Sequence, residues 1–163
     1  MKKVCVLLIS VLLLLTGCAE APVFEQVDDV YNPSEASEPK IIRMILPNDA
    51  STPVLSGDSG TLYFCDGYEI MVQTMASGDL DGTLKTLTGY EREALSILKT
   101  RAGEIKRYEC AWTSAGEGGD RVGRVVVLDD GSYHYSVAVM ADALDAGALQ
   151  ESWQELFSGI VLS

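Results

Sequence analysis

Between residues 94 and 140, four strand-like runs follow one another with only short breaks. They are Ala94–Thr100 (ALSILKT), Lys106–Thr113 (KRYECAWT), Arg121–Leu128 (RVGRVVVL) and Tyr133–Met140 (YHYSVAVM). A parallel pair of strands needs a crossover of a dozen or more residues, whereas an antiparallel pair closes through a tight turn. The breaks here are RAGEI, the glycine-rich SAGEGGD and DDGS, so the runs are predicted to form an antiparallel meander. In the second run Tyr108, Cys110 and Trp112 alternate with Arg107, Glu109 and Ala111, the period of a half-buried strand. In the third, VVVL is apolar at every position, which predicts a sheet covered on both faces at its centre.

The residues before and after the meander complete an α+β pattern. Ile41–Leu46 (IIRMIL) reads as a strand closed by Pro47. Thr61–Cys65 and Tyr68–Met75 flank Asp66-Gly67, a two-residue hairpin signal. Asp79–Thr88 sets Leu80, Leu84 and Leu87 at i, i+4 and i+7, with acids in the first turn and Gly89 as its stop, which predicts a helix. Asp145–Ser158 predicts a second, with Leu149, Trp153, Leu156, Phe157 and Ile160 on one stripe and Asp142 or Asp145 as its cap. The order is β-β-β-α-β-β-β-β-α. The fold class is therefore α+β: one antiparallel, meander-rich sheet of about six to seven strands flanked by two helices, as a single domain over 40–163.

The N-terminal residues say where such a domain works. Lys2 and Lys3 precede Val4–Leu15, an apolar run broken only by Ser10. A bilayer span takes about 20 apolar residues, and a shorter run behind a positive start is the pattern of a secretory signal. Leu15-Thr16-Gly17-Cys18 resembles the bacterial lipobox. The resemblance implies a signal peptide over 1–17, cleavage between Gly17 and Cys18, and a diacylglycerol on the Cys18 thiol. Two acyl chains suffice for stable anchoring at about 0.8 kcal/mol per buried CH2. The partner implied is the lipid bilayer through Cys18, at the extracytoplasmic face of the cell membrane. Residues 18–39 then read as a tether: Ala19–Pro39 holds six acids, three prolines and no Lys or Arg, a composition that cannot offset its own ordering entropy.

Charge and cysteines narrow the function classes. The formal charge is −12, and it becomes more negative when Lys2 and Lys3 leave. Nucleic-acid binding needs Lys and Arg set against phosphates, so nucleic acid is excluded as a partner. With Cys5 in the signal and Cys18 lipidated, Cys65 and Cys110 remain. In an exported domain they are expected to pair, at a gain of roughly 4 kcal/mol in the chain-entropy model; two buried thiols are the alternative. No CxxC or Cys/His spacing suggests a metal or redox site, and no cofactor is expected.

At the level of element order and phrase, the chain resembles the PsbP-like fold, as found in surface lipoproteins of Gram-positive bacteria. The likeness lies in GDLDGTLKTLTG, YECAWTSAGE, VVVLDDGSYHYSVAVMAD and LQESWQELF. It implies a layered sandwich and an accessory, assembly or binding role rather than catalysis, with no family active site to carry over.

The remaining candidates for chemistry each have a plain structural reading. His134, the sole histidine, has Asp129 and Asp130 nearby but no Gly-x-Ser-x-Gly elbow, and reads as a hydrogen-bonded sheet residue. Asp79-Leu80-Asp81-Gly82 starts like a calcium loop, but its sixth and twelfth positions are Leu84 and Tyr90 rather than Gly and Glu; its acids suit a helix N-terminus. Ala115–Gly119 joins two strands, unlike a dinucleotide loop. The aromatics Tyr63, Tyr68, Tyr90, Tyr108, Trp112, Tyr133, Tyr135 and Trp153 read mainly as core. The expectation is a membrane-anchored, non-catalytic accessory or binding module of the cell envelope, possessing an envelope protein as partner. The alternatives are a carrier of a small ligand or wall fragment and, third, a hydrolase.

Overall fold

The structure is a computed structural model that describes residues 38–57, 60–116 and 118–163. The signal peptide, Gly17, Cys18 and most of the tether lie outside the described residues. The elements in chain order are β1 (Ile42–Arg43), β2 (Leu55–Gly57), β3 (Gly60–Cys65), β4 (Tyr68–Ala76), α1 (Leu80–Thr88), a 3-10 turn (Arg92–Ala94), β5 (Leu98–Ala102), β6 (Ile105–Ser114), β7 (Arg121–Asp129), β8 (Tyr133–Asp142), α2 (Gln150–Ser158) and β9 (Val161–Leu162).

Seven strands form one antiparallel sheet in the order β2-β3-β4-β8-β7-β6-β5. It consists of two meanders, β2–β4 and β5–β8, joined where β4 pairs with β8 in the middle. The Asp66-Gly67 hairpin forms as the sequence suggests: Cys65 faces Tyr68 across a two-residue turn, with Gly67 at φ +81°. The α1 segment carries the chain from the centre of the sheet to its far edge. Asp79 caps it by accepting the Asp81 N–H at 3.0 Å, and Gly89 ends it in the left-handed conformation, a glycine position.

Both faces of the sheet are covered at the centre. On one, Leu80 and Leu84 of α1 pack over Tyr108, Cys110, Trp112, Val125 and Val127. On the other, Trp153, Leu156 and Phe157 of α2 pack over Tyr68, Ile70, Val126, Tyr135, Val137 and Val139. The alternation of VVVL is thus split between two cores: Val125 and Val127 face α1, Val126 and Leu128 face α2. The fold class is α+β, built on a seven-stranded and a two-stranded antiparallel sheet with two helices.

Four expectations are corrected. Cys65 and Cys110 are free cysteines. They sit on β3 and β6, four strand spacings apart in the sheet, or about 19 Å, and they face opposite cores; a disulfide needs Cα atoms within about 7 Å. Burial pushes both thiols above their ordinary pKa; at Cys65 a Tyr68 hydrogen bond opposes this and Asp49 adds to it. The run IIRMIL contributes only two strand residues, and β1 pairs with β9 outside the main sheet. Strand β5 begins at Leu98, because Arg92–Ala94 forms the 3-10 turn. The second helix begins at Gln150, with Leu149 at its N-cap and no side-chain cap; Asp142 and Asp145 instead hold the preceding turns through their carbonyls.

Candidate functional site

A hollow runs between residues 45–49 and α2. It is an open groove of about 620 Å³, lined by Ile45, Leu46, Pro47, Asp49, Glu155 and Leu156, among others. Its position follows from how the two walls are held. Helix α2 presses Trp153, Leu156 and Phe157 into the core, which turns Glu151, Ser152, Glu155 and Ser158 outward. The C-terminal end of the helix is fixed by Arg107, whose guanidinium donates to the Phe157 carbonyl at 2.9 Å. The other wall hangs from β1: Ile42, Met44 and Leu46 point into the core, so Ile45 points out and is 81% exposed. Asp49 accepts the Asp66 N–H at 2.8 Å, tying this wall to the β3–β4 turn. A smaller hollow beside it is lined by Glu151, Gln154, Glu155 and Ser158.

His134 sits elsewhere, on the α1 face. It is 2% exposed. Its Nδ1 shares a 2.7 Å hydrogen bond with the Thr83 hydroxyl of α1, and its Nε2 lies 3.9 Å from Asp129 Oδ1. Asp129 is its cross-strand partner and also meets Lys106 Nζ at 3.5 Å. The group of Thr83, His134, Asp129 and Lys106 clamps α1 to three strands. A general base must reach a substrate proton, and this ring lies under the helix. The neighbouring hydroxyl on the same face, Ser136 Oγ, is itself enclosed and has no hydrogen-bond partner.

Burial holds the His134 pKa below its ordinary 6.5. Asp129 pulls it up, Lys106 pushes it down, and Asp130 and Asp79 pull it up, but burial prevails. The group therefore binds its proton more readily in the unfolded chain, so stability falls as pH drops below about 6.5. Asp130 adds a second, lower window. Burial raises its pKa, but the N–H groups of Tyr133 and Ser132, the Tyr135 hydroxyl and Lys40 together lower it below 3.8; its stabilisation is lost as pH falls past that value. Urea midpoints should accordingly decline in two steps on acidification. In His134→Asn the upper step should vanish and the lower one persist. Identical profiles for the two proteins would show that His134 titrates without consequence.

Asp130 also fixes the start of the domain. The Lys40 N–H donates to the Tyr135 hydroxyl at 2.9 Å, which donates to Asp130 Oδ2 at 2.9 Å, while Lys40 Nζ lies 3.3 Å from the same oxygen. Burial and the Asp130 carboxylate push the Tyr135 phenol up to about 12. The aromatic side chains belong mainly to the cores: Tyr68, Tyr108, Trp112, Tyr135 and Trp153 are buried, and Tyr90 alone of the eight is exposed. Asp79 serves as a helix cap and Asp81 pairs with Arg92 at 3.0 Å. Among the described residues, no group of three or more His, Cys, Asp or Glu side chains is placed to hold a metal ion. Strand β6 ends at Ser114 and β7 begins at Arg121, so the glycine-rich stretch lies between two strands.

Sequence reasoning did not find the groove. Its apolar wall was hidden inside a predicted strand, and its acidic wall reads as the solvent side of an amphipathic helix. The signal was the alternation of IIRMIL: Ile42, Met44 and Leu46 pack against the core, which leaves Ile41 and Ile45 as large apolar residues on the outer side.

No protein-family model matches the chain, and no curated protein does. Several solved structures are similar in fold, among them the following two. A protein of Bacteroides thetaiotaomicron VPI-5482 matches with a TM-score of 0.52 at 11% identity, over 77% of this chain and 48% of its own, so the chain spans about half that protein's length. LpqN, involved in cell envelope biogenesis of Mycobacterium tuberculosis, matches with a TM-score of 0.51 at 10% identity, over 81% of this chain and 90% of its own. No helix among the described residues is long and apolar enough to cross a membrane. At these identities the likeness is one of architecture: a shared antiparallel α+β fold.

Proposed function

We propose that the chain is a lipid-anchored binding module of the cell envelope, held at the extracytoplasmic face through Cys18 and acting without catalysis. The observation that carries this reading is the open groove beside α2, with Ile45 exposed on its wall. A concave surface of this size with apolar side chains and a few polar groups in its lining has the form of a binding site, and the one histidine is committed to the clamp under α1. The fold it shares with LpqN, an envelope biogenesis protein, and the lipobox-like Leu15–Cys18 point to the same compartment. A PsbP-like layered sandwich, with residues 1–17 removed and 18–39 as a tether, is part of the same proposal.

Cell fractionation tests the anchor. The unaltered chain should label with palmitate and sediment with membranes, and Cys18→Ser should lose the label and appear in the soluble fraction. Membrane retention of Cys18→Ser without label would show that the apolar run itself is the anchor. A photo-crosslinker at Ile45 in the anchored chain should give a discrete adduct that the same group at Glu93 does not. Equal labelling from both positions would remove the groove from the reading.

A further inference from the structure

The groove has a chemistry that selects its occupant. We propose that it receives a cationic amphipathic segment of a partner protein, in which aliphatic side chains alternate with lysine or arginine. The proposal rests on the binding-module reading and names the partner that reading lacks. Ile45 and Pro47 supply an apolar wall, with Leu46 and Leu156, which mainly face the core, at its base, a surface suited to branched aliphatic side chains. The charged groups that line it are Asp49 and Glu155, and the adjoining hollow adds Glu151. Neither hollow is lined by a lysine or arginine. Arg43, two residues before Ile45, donates instead to Ser163 Oγ at 2.7 Å.

Charge complementarity therefore favours a positive partner and rejects an acidic one, because like charges brought together at a rim oppose docking. The whole chain strengthens this choice, with 24 acidic against 12 basic residues. A simple polyamine would satisfy the rim and leave Ile45 in water, whereas a peptide segment answers both walls. The groove is open to solvent between two walls, and peptide segments dock in such grooves through side chains on one face. Asp49 is fixed by the Asp66 N–H, so one rim charge is positioned before the partner arrives.

Fluorescence anisotropy on the full chain in a non-ionic detergent tests this with defined probes. The probes are short fluorescein-labelled peptides of alternating Leu and Lys, Leu and Glu, or Ser and Lys. The Leu/Lys peptide should bind saturably and the other two should not. The double variant Glu151→Lys/Glu155→Lys should weaken that binding about tenfold or more, and Ile45→Ser should do so at unchanged charge. Glu93→Lys/Glu104→Lys shifts net charge equally at exposed positions outside the groove and should bind as the parent does. Circular dichroism of each variant checks that it is folded. Equal weakening by the two double variants would show diffuse attraction and overturn the proposal, as would saturable binding of the Leu/Glu peptide or no binding of the Leu/Lys peptide. The assay reads the groove with or without lipid on Cys18, so a failed anchor and a failed groove are told apart.

Discussion

Trp153→Ala should destabilise the domain by about 3–5 kcal/mol, the range for emptying a buried indole site, and should abolish binding in the groove. Trp153 is 1% exposed and lies edge-on to Tyr68 at 6.2 Å between ring centroids. It is the largest side chain that α2 buries, and α2 is one wall of the groove. The indole also has an enclosed N–H with no hydrogen-bond partner, a group that costs about 1–3 kcal/mol when left unsatisfied. Trp153→Phe removes that donor along with some volume, so its loss should be much smaller than that of the alanine variant. Urea titrations of the three proteins measure both effects. A phenylalanine variant as unstable as the alanine one would mean that the shape of the indole, rather than apolar burial, holds α2.

Gly123→Ala is expected to cost about 1–3 kcal/mol by overpacking, although it adds one methyl group in mid-strand. Gly123 lies opposite Trp112 in the β6–β7 register, and the Trp112 ring rests on its backbone. A Cβ at this position would stand 2.3 Å from Trp112 Cζ2 and 2.4 Å from Cε2. The ring cannot yield cheaply, because it packs among the residues that hold α1. Combining the change with Trp112→Leu should cost less than the sum of the two single losses, since the shorter side chain frees the space. Strict additivity in that cycle would show that the two positions do not share a contact.

The central architecture was legible because its determinants are local. The turns at Asp66-Gly67 and Asp129–Ser132 fix antiparallel neighbours, and the leucine spacing with Asp79 and Gly89 fixes α1. The rest depended on partners far apart in sequence. IIRMIL has the composition of a sheet strand, but it pairs with a two-residue strand at residues 161–162, too short to show a period. Cys65 and Cys110 were expected to pair from their number and compartment, yet strand order decides their distance, and that order depends on β4, ending at Ala76, meeting β8, which begins only at Tyr133. The candidate site was legible least. His134 stood out in the sequence and proves to be a packing clamp, whereas the groove is made by Ile45 and the polar side of α2, unremarkable until brought together.

The contacts of Lys40 carry one more consequence. A pull on the chain ahead of this residue would meet the contacts of Lys40 before it reached the β1–β9 pair. It would load the Tyr135 hydroxyl and the Asp130 carboxylate, both on the hairpin that contains β8, the strand paired on both sides in the middle of the sheet. Mechanical tension from the N-terminal side would thus be shared between this central hairpin and the β1–β9 pair, which begins at the next residue through the Ile41–Ser163 hydrogen bonds.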